Sequence, residues 1–229
     1  MSNASYEDWT QGRELRAVGT NAGSEPIAFQ EWCHFKEAFA PELVARAIRE
    51  SKIPVKSCVD PFGGSGTTAL TCQFMGVEPS TIEVNPYLAD LIEAKVTTYD
   101  SDNLASELGR IMADAEKCID PEFHALSNST PLTLVEPGVN GRWIFDADIA
   151  QRIWAILRSI ERCSNKPHQR FFRVLLGGIL IGVSNVVVNG KGRRYRSNWA
   201  GRKNNPTIVD NAFASAAHRA ILDVHRYSK

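Results

Sequence analysis

An α/β fold is what this sequence predicts: a parallel sheet with helices on both faces, followed by a mainly helical, basic C-terminal region. Three observations carry that expectation. A strand-like apolar run breaks at a glycine-rich turn that opens a helix. A second strand and helix follow at the spacing of a βαβ unit. The charge of the chain is divided between its two ends.

The elements follow in order. Residues 1–24 are polar, rich in Gly, Asn and Ser, and read as a flexible N-terminal segment. Pro41 then opens a helix with Leu43, Val44, Ala47 and Ile48 on one face. Pro54–Val59 reads as a buried strand, stopped by the turn from Asp60 to Gly66, and a helix is predicted over Thr67–Met75. Gly76 ends that helix, Ser80–Val84 forms the next strand, and Pro86 sits at the first position of a helix running to Val96. Leu104, Leu108, Ile111 and Ala115 make a helical stripe starting near Ser101, and Pro131–Val135 is a third candidate strand. Asp146 or Asp148 caps a helix carrying Ile149, Ile153, Ile156 and Ile160. Phe171–Ser184 reads as a largely buried helix, and Phe213, Ala217, Ile221 and Val224 mark a final amphipathic one. The resulting division is 1–24, an α/β half-domain over 25–135, and a helical region over 136–229 with a basic loop.

Bulk properties narrow the function. With 229 residues, 43% apolar and 23% charged, the composition is that of a globular protein. The five cysteines (Cys33, Cys58, Cys72, Cys118, Cys163) are scattered without a C-x-x-C pair, which argues against a disulfide framework or zinc site and fits a reducing cytosol. No metal is expected from the five histidines, which lack ligand spacing. The apolar run Val174–Val183 is too short to cross a bilayer, and no export signal opens the chain, so a cytoplasmic protein away from the membrane is expected. Residues 1–165 hold 14 Lys and Arg against 24 Asp and Glu, whereas 166–229 hold 12 against 2. That split points to an anion-facing C-terminal end.

A glycine-rich turn between a strand and a helix lets a ligand approach backbone amides, although such turns are also simple tight connections. No Lys follows Gly66 before a Ser or Thr, so the turn is not a phosphate-binding P-loop, and it departs from G-x-G-x-x-G. Glu83 stands at the end of the second strand, where a carboxylate can accept both hydroxyls of a ribose.

Val59-Asp60-Pro61-Phe62-Gly63-Gly64-Ser65-Gly66-Thr67-Thr68 resembles the D-P-F-x-G-S-G-T-T motif of DNA methyltransferases that act on exocyclic amines, adenine N6 or cytosine N4. Ile82-Glu83-Val84-Asn85-Pro86-Tyr87, with Ala94-Lys95, is similar to their next motif, and Trp32–Val44 to the segment that precedes the turn. Thr81 departs from the family, which often has Gly there. The resemblance implies part of a Rossmann-like sheet that binds S-adenosyl-L-methionine, in a restriction–modification context. Carried over, Asp60, Phe62, Gly64 and Gly66 line the methionine moiety, with Pro61, Gly63, Ser65, Thr67 and Thr68 completing the turn. Glu83 holds the ribose, Asn85 and Pro86 flank the adenine, and Phe35, Phe39 and Pro41 close the other side. Core packing is the competing reading for Phe35 and Phe39.

Methylating an amine also needs a clamp for the extruded base, [DNS]-P-P-[YFW] in the family. The sequence contains no Pro-Pro; Asn85-Pro86-Tyr87 is the nearest imitation and already belongs to the cofactor side. No catalytic residue is therefore assigned. The expectation is a split enzyme, a heterodimer whose second subunit supplies the P-P-Y motif and completes a sheet otherwise left with an open edge. Nine Lys and Arg and no acid lie between Lys166 and Lys203. Lys191, Arg193, Arg194, Tyr195, Arg196, Arg202 and Lys203 are candidate contacts to double-stranded DNA, a solvated surface or a dock for an acidic partner being the alternatives. Rival functions are a non-catalytic S-adenosylmethionine-binding regulatory module and an RNA methyltransferase subunit.

Overall fold

A computed structural model describes residues 4–227, apart from 14, 16–17, 21–22, 24–26, 36, 119–122, 124–129, 190–191 and 202–203. The chain is α/β and divides into two compact units, one of residues 1–104 with 219–229 and the other of residues 105–218.

The first unit is built around a short parallel sheet. β1 (Ser57–Asp60) pairs with β2 (Glu78–Thr81) in parallel, Ser57 opposite Glu78 and Asp60 opposite Thr81. The connection between them is α3 (Thr67–Phe74), buried along almost its whole length. α2 (Pro41–Arg49) packs on α3, with Val44 joining Cys72 and Val77 in a small core that Phe39, Val55 and Cys58 cover. Its buried side is Pro41, Val44 and Ala45, so the predicted face is rotated: Leu43 and Ala47 are exposed. α4 (Pro86–Val96) follows β2 with the bounds the sequence predicts; Asn85 caps it, its Oδ1 accepting from the amides of Tyr87 and Leu88.

Both strands differ from expectation. β1 begins three residues later than predicted, because its pairing starts at Ser57, and it is half-exposed rather than buried. β2 begins two residues earlier: the amide of Val77 bonds back to the carbonyl of Cys72, so the chain enters the sheet directly from the end of α3. Val84 then falls beyond the strand, 93% exposed. Val59 and Ile82 are also exposed, at 66% and 59%. Among the described residues each strand has one partner, and the apolar face carrying Val59 is uncovered.

Within the 1–24 segment, Tyr6–Thr10 is helical. These residues form α1, capped by a reciprocal Ser5–Asp8 pair. Trp9 is fully buried, stacks on Phe74 at 4.6 Å and donates its indole N–H to Ala28 O. The end of the last helix, α8 (Thr207–Tyr227), adds Tyr227 to this aromatic group, and Asp223 accepts from the Phe29 amide and the Trp32 indole. Trp9→Ala would cost roughly 3–5 kcal/mol.

The second unit is mainly helical. α5 (Ser101–Glu116) enters it from Ala105, followed by α6 (Ala147–Glu161), α7 (Lys166–Val183) and the larger part of α8. Ile111, Ile149, Ile156, Ile160, Phe171, Phe172, Leu175 and Phe213 are its largest buried side chains. α7 begins five residues before the predicted start, where Asn165 caps it, and its glycine-containing second half is only partly covered. Pro131–Val135 is not a strand: it is a turn in which Val135 makes an isolated bridge to Phe145. Two strands that the sequence did not announce, β3 (Val186–Asn189) and β4 (Gly192–Tyr195), form an antiparallel hairpin. No helix among the described residues is long and apolar enough to cross a membrane.

Candidate functional site

The carboxyl ends of β1 and β2 and the amino ends of α3 and α4 converge on the glycine-rich turn. The ladder continues past the strands, the Ile82 amide donating to Asp60 O and the Gly63 amide to Ile82 O, both at 2.9 Å. Asp60 turns its side chain onto the following loop, where Oδ1 accepts from the Phe62 amide at 2.9 Å. Phe62 itself is 85% exposed.

The glycines answer mainly to α4. A Cβ on Gly63 would lie 2.7 Å from Cδ1 of Ile92, and one on Gly66 would lie 3.1 Å from Ile92 Cγ1 and 3.4 Å from Ile92 Cα. Gly66 also has φ +83°, which side chains rarely adopt. The sequence suggests that small residues keep the amides accessible to a ligand; the structure shows that two of the three let α4 press against the turn.

Glu83 ties the two motifs together. One carboxylate oxygen accepts from the Gly64 amide at 2.7 Å and the other from the Asn85 amide at 2.8 Å. Each oxygen retains a second lone pair, so a diol could still be bound. Gly66, the N-cap of α3, has no side chain to bond the first-turn amides, and Ser65, Thr67 and Thr68 are buried around them. An uncapped helix start favours a carboxylate or another anion.

Phe35 lies over the turn, its Cε1 3.3 Å from where a Gly64 Cβ would be. Nearby, Tyr87 has its phenol pushed above the ordinary range by burial and then by Cys33. The upstream segment thus flanks both the turn and the first turn of α4. Phe39 goes elsewhere, into the core of Val44, Cys72 and Val77, and Pro41 is buried at the start of α2. The structure therefore brings Phe35, Asp60–Thr68, Glu83, Asn85 and Pro86 together, and puts Phe39 in the packing behind them.

Sequence reasoning assigned no role to Lys95, which is buried in α4 with Nζ 2.9 Å from Ser65 O. Its presence inside a largely apolar helix was the available signal.

The donor set fits a nucleoside joined to an amino acid: a carboxylate at the end of β2, uncapped amides at the start of α3, and an aromatic ring above the turn. No group of three or more His, Cys, Asp or Glu among the described residues is placed to hold a metal ion.

The basic segment is the hairpin itself. Arg193 and Arg194, opposite Val188 and Val187, are exposed. Arg196 is engaged: its guanidinium donates to Ile181 O, Gly182 O and Ser184 O, closing the carboxyl end of α7. Tyr195 packs on Trp199 at 4.6 Å, and Trp199 meets Trp143 edge-on at 5.1 Å. Lys191, Arg202 and Lys203 lie outside the described residues.

Comparison with known proteins agrees with the motifs. The chain is 30% identical over 124 residues to the Type II methyltransferase M.BsoBI of Geobacillus stearothermophilus, covering 53% of this chain and 24% of that protein. It is 37% identical over 65 residues to M.AvaI of Anabaena variabilis, covering 28% of this chain and 14% of that protein. With M.XycI of Xanthomonas campestris pv. cyanopsidis the identity is 35% over 89 residues, 35% of this chain and 28% of that protein. The chain is similar over part of its length to several Type II methyltransferases. It spans only about a quarter, or less, of the length of the first curated relatives it matches. No protein-family model and no solved structure matches it.

Proposed function

We propose that this relative of the Type II methyltransferases binds S-adenosylmethionine at the carboxyl ends of β1 and β2. In this reading the short sheet is part of a Rossmann-like methyltransferase sheet. The chain is the cofactor-binding part of an enzyme that methylates an exocyclic amine of DNA, adenine N6 or cytosine N4.

The observation that carries the reading is the Glu83 carboxylate, gripped by the amides of Gly64 and Asn85 beside an uncapped helix start. Glu83 accepts the ribose hydroxyls, the first amides of α3 take the carboxylate of the methionine moiety, and Asn85 and Pro86 border the adenine. Asp60, Pro61 and Phe62 line the side open to the acceptor. When bound, the cofactor supplies an electrophilic methyl group on a sulfonium. The chain's own residues orient that group and need neither a metal nor a covalent nucleophile.

The acceptor base is held by a second polypeptide carrying a P-P-Y motif. Support comes from the exposed Val59, Phe62, Ile82 and Val84 around the sheet, an apolar surface that a second polypeptide would cover. Arg193 and Arg194 contact the phosphates of double-stranded DNA, with Lys191, Arg202 and Lys203 nearby in sequence.

The test is calorimetry of the chain with S-adenosylmethionine, with Asp60→Ala as control, followed by labelled-methyl transfer to DNA and to RNA. Transfer is measured with and without a co-expressed protein bearing the P-P-Y motif. Binding by the chain, and transfer to DNA only with the second protein, is the expected result. Transfer by this chain alone refutes the division of labour, transfer to RNA alone refutes the substrate, and lack of cofactor binding refutes the whole reading.

A further inference from the structure

Lys95 is the one charged side chain that is buried among the described residues, at 3% exposure. Burying an ammonium is costly, and a methionine would fill similar space without that cost. What the lysine does there is specific. Its Nζ donates to Ser65 O at 2.9 Å, and the Gly66 amide, the other end of the same peptide unit, donates to Gly63 O at 2.9 Å. The peptide joining the turn to α3 is thereby fixed at both ends, and α3 begins immediately beyond it with no side-chain cap.

We infer that Lys95 is a positioning residue for the cofactor: its ammonium holds the Ser65 carbonyl so that the first amides of α3 face the ligand's carboxylate. The inference rests on the proposed cofactor site. The ammonium also adds positive charge close to the helix start, which favours the same carboxylate.

Protonation supports the assignment. Burial lowers the Lys95 pKa to about 8, partly offset by the titratable groups that face it, Cys33 upstream of α2 and Asp223 on α8. Cofactor affinity should therefore decline as pH rises through that value.

The experiment is calorimetric titration of the 229-residue chain with S-adenosylhomocysteine between pH 7 and pH 9.5 (roughly the range about the lysine's midpoint), for wild type and Lys95→Met. The ligand's own amine titrates in both proteins, so the lysine is read from their difference. The variant is expected to bind about ten- to a hundredfold more weakly at neutral pH, as for loss of a charged hydrogen bond, and the difference should close as pH rises. Equal affinities with identical profiles would overturn the role of Lys95 while leaving the cofactor site standing. Failure of the wild type to bind would remove the site and this inference with it. Should the variant not fold, wild type labelled at lysine Cε decides. Saturation with S-adenosylhomocysteine is expected to raise the titration midpoint of the buried lysine, and an unmoved midpoint overturns the inference.

Discussion

Both carboxylate oxygens of Glu83 accept backbone amides, so two substitutions separate what this residue does for the fold from what it does for a ligand. Glu83→Gln keeps an acceptor but loses the charge, and Glu83→Ala loses both. Each is expected to weaken S-adenosylmethionine binding by roughly 1.5–3 kcal/mol in calorimetry, with the larger fall in melting temperature for Ala. Wild-type affinity in both would remove Glu83 as the ribose acceptor. Lys95 makes a pH-dependent contribution to stability with a definite sign. Its pKa falls from 10.5 when unfolded to about 8 when folded, so between those values the unfolded chain keeps a proton that the folded chain has released. Stability contributed by this group therefore rises with pH across that window, recovering about 3 kcal/mol of burial cost at most. Urea unfolding near neutral pH and again near pH 10 should show that gain in wild type and not in Lys95→Met. Glu83 was legible in the sequence because it ends a strand at the right distance from a turn. The burial of Lys95 was not, because a lysine in a helix ordinarily faces water.

At the scale of elements, the helices were easier to read than the strands. Pro86 and Asn85 fix the start of α4 by local chemistry, and the sequence shows both. The bounds of β1 and β2 depend on pairing between residues about 20 positions apart, which periodicity over four residues cannot reveal. The β3–β4 hairpin was hidden for a related reason: β4 is Gly-Arg-Arg-Tyr, whose charges suggest a loop, and its pairing to Val186–Asn189 decides otherwise. The hairpin also separates its arginines by role. Arg193→Ala with Arg194→Ala is expected to weaken DNA binding and flatten its salt dependence, by a slope of roughly 0.9 for each phosphate no longer neutralised, with little change in melting temperature. Arg196→Ala is expected to destabilise the chain by roughly 1–3 kcal/mol, because Ile181, Gly182 and Ser184 lose their donor. Filter binding over a salt series, beside thermal unfolding of each variant, checks both statements. Identical behaviour of the two sets would contradict the separation.

For the whole molecule, the uneven distribution of charge along the chain marked the basic segment but not the hairpin that it forms, and the motifs pointed to the neighbourhood of the turn. Composition could not show that α1 and the end of α8 close the back of the first unit, since Trp9, Phe74 and Tyr227 meet only through tertiary packing. The central claim is that the ends of β1 and β2 grip an S-adenosyl nucleoside. Hydrogen–deuterium exchange of the 229-residue chain, with and without saturating S-adenosylhomocysteine, tests that claim most directly. The ligand is expected to slow exchange at the amides of residues 62–68 and 83–88 and to leave the β3–β4 hairpin unchanged. Unaltered exchange across the turn, or protection confined to residues 186–199, would contradict it.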